Sequence, residues 1–324
     1  MTTIFLIISI FILSFILMKS SEQVVIALRH LAAETHTKLF ILSALIIAIS
    51  TSFPELFVGI TSALEGSSSL SLGNILGANV TNLSLVAGVS ALVAGHVNVH
   101  GEFLKHEIWI AAIAGMLPII LVLDGDLDRI DGLILLLAYG AYATSFFKVR
   151  FMQIAEQIKK GVFFHRFLRS IHHVNTGQTK EMVRFFLGIF ALLFSAGLIV
   201  KIAKDVAIAA NIPLFLIGLI FLSIGTTLPE LVFSFTSLKD KEPTMFFGNL
   251  LGSIIANSTL IIGVTVLISP IKLVAFSEYL VASIAFISIF FVFWLFTRSK
   301  LQLTRWEAAI LLILYLIFVV VEFL

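Results

Sequence analysis

Cysteine is absent from the 324 residues, and charge is scarce, with Asp, Glu, Lys and Arg together making up 12%, about half of the roughly 25% found in a soluble domain. The first absence excludes disulfides, thiolate metal centres and thiol nucleophiles. The second, set beside a hydrophobic content of 59%, means that most of the surface faces lipid. The net charge of +2 is too small to point to a nucleic-acid partner. No nucleophile–base pair and no cofactor fingerprint lies in the apolar segments, so an enzyme is the least fitting class and no cofactor is expected. The apolar runs are too long and too uniform for the alternating strands of an outer-membrane barrel, which leaves helices as the spanning elements.

A span needs about 20 apolar residues. Ten hydrophobic segments meet that requirement approximately, at 3–18, 37–64, 70–94, 107–123, 129–147, 184–202, 211–238, 244–268, 277–297 and 305–323. The expected architecture is an all-α membrane protein of ten transmembrane helices. A basic stretch at 148–183 divides it into a first five-helix half, 1–147, and a second, 184–324. Lys and Arg are retained in the cytoplasm. One side of the membrane collects 17 of the 21 basic residues and the other side 4, namely Arg129, Lys201, Lys204 and Lys272. The expected topology therefore has a cytoplasmic central loop and both termini outside the plasma membrane.

Five helices is an odd number, so a repeated half enters the membrane upside down. Such a repeat is present. Residues 49–64 read ISTSFPELFVGITSAL and residues 224–239 read IGTTLPELVFSFTSLK; LGNILGANVTN at 72–82 matches FGNLLGSIIAN at 247–257. Every match lies at the single offset of 175 residues, without a gap. Thr51, Pro54 and Glu55 pair with Thr226, Pro229 and Glu230, and Gly73, Asn74, Gly77 and Asn82 pair with Gly248, Asn249, Gly252 and Asn257. The two copies, about 37–94 and 211–268, predict inverted repeats, a hallmark of secondary transporters with a site at the repeat interface.

Of the 19 acidic residues, only Glu55 and Glu230 lie inside long apolar segments. An ionisable side chain at that depth costs about 2.5–3.5 kcal/mol on insertion scales and calls for a partner or a function. Two carboxylates repel, and no Lys, Arg or His lies inside the two segments away from their ends, so a cation or protons must neutralise them. Pro54 and Pro229 interrupt their helices and free carbonyl oxygens upstream, beside Thr51 and Thr226. Carboxylates plus carbonyls form the oxygen cage that calcium prefers. The next helix of each half carries an amide row, Asn74–Ala78–Asn82 and Asn249–Ser253–Asn257, expected to meet the glutamates. Gly73, Gly77, Gly248 and Gly252 allow close helix approach. Asp124, Asp126, Asp128 and Asp131 mimic the start of a calcium loop, but Arg129 stands at its glycine position and no closing glutamate follows, so an exposed acidic loop is expected.

The paired motifs STSFPE (50–55) with GNILGAN (73–79), and GTTLPE (225–230) with GNLLGSI (248–254), resemble the α-repeats of the calcium/cation antiporter superfamily, most closely its sodium/calcium exchanger branch. The resemblance implies a calcium site of Glu55, Glu230, Thr51 and Thr226. It also implies flanking sodium sites at Ala48, Ser52, Ala78 and Asn82 in one half and Ser223, Thr227, Ser253 and Asn257 in the other. It departs at Ala78, which lacks the hydroxyl usual there, at Ile254, which replaces an asparagine, and at Asn257, where many relatives carry aspartate. The implied activity is alternating-access exchange of calcium for sodium by a chain that functions as a monomer, with the ions and the bilayer as its partners. A calcium/proton exchanger of the same fold is the first alternative and a passive cation channel the second.

Overall fold

The computed structural model describes residues 2–34, 50–98, 102–158, 176–299 and 302–323. Among them the chain forms α1 (Thr2–Glu34), α2 (Phe53–Leu64), α3 (Ser68–Ala94), α4 (Glu102–Leu121), α5 (Arg129–Ile158), α6 (Thr176–Ala210), α7 (Leu214–Lys239), α8 (Pro243–Ile268), α9 (Phe276–Ser299) and α10 (Arg305–Glu322). Seven of these, α1, α3, α4, α6, α7, α8 and α9, contain runs long and apolar enough to cross a bilayer. The part of the first repeat at 37–49, with Ala48, and the His172–His173 pair lie outside the described residues.

Burial sorts the helices into a centre and a shell. The apolar window of α3 is 83% buried, whereas those of α1 and α6 are 33% buried. The shell turns bare apolar side chains outward, among them Phe5, Ile113, Phe190 and Leu316. An apolar exterior of this extent is an aggregation surface in water and an ordinary one in lipid. The protein is integral to a membrane.

Two expectations need correction. Helices outrun the hydrophobic segments: α1 continues to Glu34 rather than ending near 18, and α5 and α6 reach Ile158 and Thr176, so helix occupies both ends of the basic stretch 148–183. Hydropathy marks the most apolar part of a helix; the backbone ladder closes equally well beyond it. The fold is also not purely helical. Four short strands, β1 (His96–Asn98), β2 (Asp126–Leu127), β3 (Ile271–Lys272) and β4 (Gln302–Thr304), form two antiparallel pairs, β1 with β4 and β2 with β3. Each pair ties one half of the chain to the other. Each pair buries an apolar couple, Val97 with Leu303 and Leu127 with Ile271. Of the acidic run, Asp126 lies in β2 with Leu127, and Asp128 Oδ1 accepts the Ile130 and Asp131 amides at 2.7 and 3.0 Å at the start of α5.

The repeat extends to individual backbone bonds. The turn from α2 to α3 closes with the Gly66 amide on Ala63 at 3.1 Å and the Ser67 amide on Ser62 at 2.7 Å. The turn from α7 to α8 closes with Lys241 on Leu238 at 3.2 Å and Glu242 on Ser237 at 2.8 Å. Each residue is displaced by the same 175 positions. Both turns need a left-handed residue, Gly66 at φ 66° and Lys241 at φ 60°, the helix-ending geometry that glycine adopts without strain.

α3 crosses the first half of α7 with its backbone almost in contact. A Cβ built on Gly73 would run into the Phe215 carbonyl oxygen, one on Gly77 into that of Leu219, and one on Gly218 into that of Leu70. No described atom comes within 4 Å of a Cβ built on Gly248 or Gly252, so the described structure gives these two no packing partner.

Candidate cation site

Both proline motifs break their helices in the same way. Ser52, just before α2, has φ −86° and ψ 10°; Thr227, inside α7, has φ −83° and ψ 4°. The ladder resumes with the Leu56 amide on Ser52 at 3.0 Å and the Leu231 amide on Thr227 at 3.1 Å. Pro54 and Pro229 have no amide hydrogen, so the carbonyls of Ser50 and Gly225, four residues back, lose their helical partner. The Ser50 carbonyl accepts the Ser21 hydroxyl of α1 at 3.1 Å.

Immediately after each break stands a glutamate, and both Glu55 and Glu230 are wholly buried, at 0% exposure. The two breaks converge: Thr51 of the first lies 3.5 Å from Ser253, which donates to Glu230 Oε1 at 3.3 Å. The ion pairs among the described residues, Lys19–Glu22, Arg184–Glu181 and Lys204–Glu65, involve neither. Glu107, Glu181 and Glu322 are also buried, more than the census of apolar segments suggested. These three sit at helix ends, and Glu107 accepts the Tyr142 hydroxyl at 3.1 Å.

The two halves cross-link around the glutamates. Thr226 donates to the Asn74 amide oxygen at 3.1 Å, and Thr51 donates to the Asn249 amide oxygen, also at 3.1 Å. Asn74 and Asn249 therefore bond the threonines of the opposite half, the carboxamide oxygen turning toward the hydroxyl. In the second half Ser253 reaches the carboxylate instead, donating to Glu230 Oε1 at 3.3 Å, and it lies 3.5 Å from the Thr51 hydroxyl.

The symmetry fails at Glu55. The counterpart of Ser253 is Ala78, and among the described residues neither oxygen of Glu55 has a hydrogen-bond donor. Glu230 Oε2, Asn82 Oδ1, Asn257 Oδ1 and the Ser52 hydroxyl are buried without a partner as well. Ser223 and Thr227 donate to carbonyls of their own helix turn, at 2.6 and 2.9 Å, which leaves their oxygen lone pairs available. A buried oxygen without a donor costs about 1–3 kcal/mol, more when charged, so this concentration of acceptors suits a cation. Among the described residues no group of three or more His, Asp or Glu side chains gathers. Neutral oxygens must therefore supply most of any coordination shell, which favours a hard ion.

Several participants have no motif signature. Asn79 donates to the Ser258 hydroxyl at 2.8 Å and accepts from Asn257 at 3.2 Å, clamping α3 to α8; in the sequence its counterpart is Ile254, so the repeat gave no signal for it. π-helical turns at Asn82–Val86, Ala256–Ile261 and Ile217–Leu222 widen α3, α8 and α7 beside the site. Such turns frequently accompany functional positions, but no residue pattern announces them.

A family model described as sodium/calcium exchanger protein matches residues 5–148 and 180–324. The chain belongs to the sodium/calcium exchanger protein family. The two matched ranges of this exchanger-family chain leave out 149–179, the middle of the basic stretch. It is 27% identical to Sodium/calcium exchanger MaX1 of Methanosarcina acetivorans over 338 aligned positions, covering 95% of each chain. It is also 27% identical to Inner membrane protein YrbG of Escherichia coli, over 78% of this chain and 76% of that one. Among solved structures it resembles the sodium-calcium exchanger NCX_Mj soaked with sodium and strontium, at TM-score 0.60 and 25% identity over 98% of both chains. Cation exchange by antiport is the activity of this family, and the exchanger's fold is that of its transporters.

Proposed function

We propose that this exchanger moves calcium out of the cell against inward sodium by alternating access. The observation that carries the reading is the pair Glu55 and Glu230: one from each half, fully buried, and without a basic partner among the described residues. Calcium is held by these two carboxylates and by backbone oxygens beside Thr51 and Thr226. Its two positive charges cancel the two negative ones. Sodium ions compete for the same carboxylates with help from Ser52, Asn82, Ser223, Thr227, Ser253 and Asn257, and Ala48 completes the set that the resemblance implies. An empty site leaves two charges buried in a low-dielectric interior, so the switch between inward- and outward-open states proceeds only when ions are bound, and exchange follows. The ten helices form two inverted halves, 1–147 and 184–324, with 148–183 cytoplasmic, both termini outside the plasma membrane and one chain sufficient for transport. The uniform 175-residue offset of the matched turns and of the Thr–Asn bonds supports this arrangement.

The test is calcium-45 uptake into proteoliposomes with the pH gradient collapsed. An outward-directed sodium gradient is expected to drive uptake well above the rate with potassium or choline inside. Uptake that follows a pH gradient and ignores sodium would overturn sodium coupling while leaving the calcium site standing.

One observation favours proton coupling as a second reading. Ser253 donates to Glu230, whereas its sequence counterpart Ala78 has no hydroxyl and Glu55 has no donor among the described residues, so one end of the site has fewer ligands for sodium and a carboxylate free to take a proton. The substitution Ala78→Ser supplies the missing oxygen. It is expected to raise apparent sodium affinity a few-fold, the scale of one hydrogen-bonding group at about 1 kcal/mol, measured as sodium inhibition of calcium uptake. No change in sodium affinity, together with a pH dependence carried by Glu55, would favour the proton reading.

A further inference from the structure

α1 belongs to the shell of the fold, yet it reaches both proline breaks. Its buried stripe, Ile10, Ser14, Leu17, Ser21 and Val24, follows the spacing of one helix face. Two serines stand in that stripe, two turns and so about 10 Å apart. A serine inside a helix commonly bonds the carbonyl of its own preceding turn. Ser9 and Ser20 of α1 do so, donating to Phe5 and Ile16 at 2.9 Å each.

Ser14 and Ser21 do otherwise. Ser21 donates across to the Ser50 carbonyl at 3.1 Å, a buried bond. Ser14 is wholly buried, makes no hydrogen bond among the described residues, and packs on Gly225, where a Cβ would run into its hydroxyl. Ser50 and Gly225 are the residues whose carbonyls lose their helical donors to Pro54 and Pro229. One helix is therefore seated on both breaks, on the first by a hydrogen bond and on the second by contact. The repeat does not account for this. At the offset of 175 residues α6 carries Ile189 and Ala196 in place of Ser14 and Ser21, and its own Ser195 bonds Ala191 of the preceding turn at 2.6 Å.

We infer that Ser21 is a positioning residue of the cation site. Its bond fixes the plane of the Ser50–Thr51 peptide. Thr51, held from its other side by the Asn249 amide oxygen at 3.1 Å, presents its backbone oxygen to the cage. Ser14 keeps the same helix against the break that carries Thr226 and Glu230. The inference rests on the calcium reading above. Oxygens held in place before the ion arrives need not be ordered on binding, and that saving is affinity. Loss of the Ser21 donor lets the peptide turn, so it registers in calcium affinity. A purely structural bond would register only in the amount of folded protein.

Calcium-45 uptake by the reconstituted full chain, resolved into maximal rate and half-saturating calcium, tests this. Ser21→Ala is expected to raise half-saturating calcium about fivefold, the scale of one hydrogen bond, with the maximal rate per folded protein unchanged. Ser21→Thr, which keeps the hydroxyl, is expected to restore it. Ser20→Ala, which removes a hydroxyl bonded only within its own turn, is expected to match the unmodified chain. The inference fails if Ser21→Ala leaves half-saturating calcium unchanged or lowers only the maximal rate. It fails equally if Ser21→Thr performs no better than Ser21→Ala. Uptake by the unmodified chain is the separate check on the calcium reading, and the ratios between variants leave that check untouched.

Discussion

Glu230→Gln is expected to abolish calcium exchange while leaving the protein folded in the membrane. The substitution keeps the shape of the side chain and removes one unit of charge. At about 4 Å and an effective dielectric near 20, one unit charge acting on another is worth about 4 kcal/mol, and a divalent ion gains at least that from each carboxylate. Calcium affinity should therefore fall about a thousandfold, and exchange at ordinary calcium concentrations should become undetectable by calcium-45 flux. Ser253, which donates to Glu230 Oε1, can donate equally to the amide oxygen of glutamine, so the local packing survives. Glu55→Gln should do the same to transport. Full exchange by either variant would remove the glutamate pair from the mechanism. Circular dichroism and gel filtration in detergent separate this outcome from misfolding.

Gly77→Val is expected to prevent the central helices from assembling. A Cβ at residue 77 would run into the Leu219 carbonyl oxygen and lie 2.8 Å from the Ser223 Cβ. Backbone cannot yield as the far end of a side chain can, so α3 and α7 must separate. Overpacking costs about 1–3 kcal/mol where a core can adjust; here a branched side chain meets the Leu219 carbonyl and the Ser223 side chain, and Gly73 and Gly218 on the same crossing forbid a local shift. Gly77→Ala should lower the thermal midpoint measurably, and Gly77→Val should leave little monodisperse protein in detergent. Gly140→Ala, where no described atom lies within 4 Å of the new carbon, is the control and should be neutral. Equal stability of Gly77→Ala and Gly140→Ala would mean that the α3–α7 contact is looser than described.

The two predictions differ in how far the sequence led to them. The glutamates were legible because a charge in an apolar run is costly wherever the run folds, and because the same costly residue recurs 175 positions later beside the same proline. The glycines were legible as small residues at helical spacing, but the partner helix was not: Gly73 and Gly77 meet Phe215 and Leu219, about 140 residues away, and nothing local encodes that distance. The amide rows illustrate the same limit. Spacing put Asn74 and Asn249 on the correct faces, yet each amide oxygen accepts from a threonine of the other half instead of each amide approaching a glutamate. A side-chain rotation of a few ångströms decides between the two.

By itself the sequence determined a membrane-embedded helical chain, duplicated at one fixed offset, with a buried carboxylate after a proline break in each copy. These are consequences of solvent transfer energies and of the missing proline amide, which act residue by residue. The tertiary structure alone decided which half clasps which, through the β1–β4 and β2–β3 pairs, how far the helices extend beyond the apolar segments, and where π-helical turns widen the site. It also decided that Asn79 clamps α3 to α8 and that Glu55 has no donor among the described residues while Glu230 accepts from Ser253. Those are properties of surfaces brought together from distant parts of the chain, and packing rather than local preference selects among the pairings that the same residues allow.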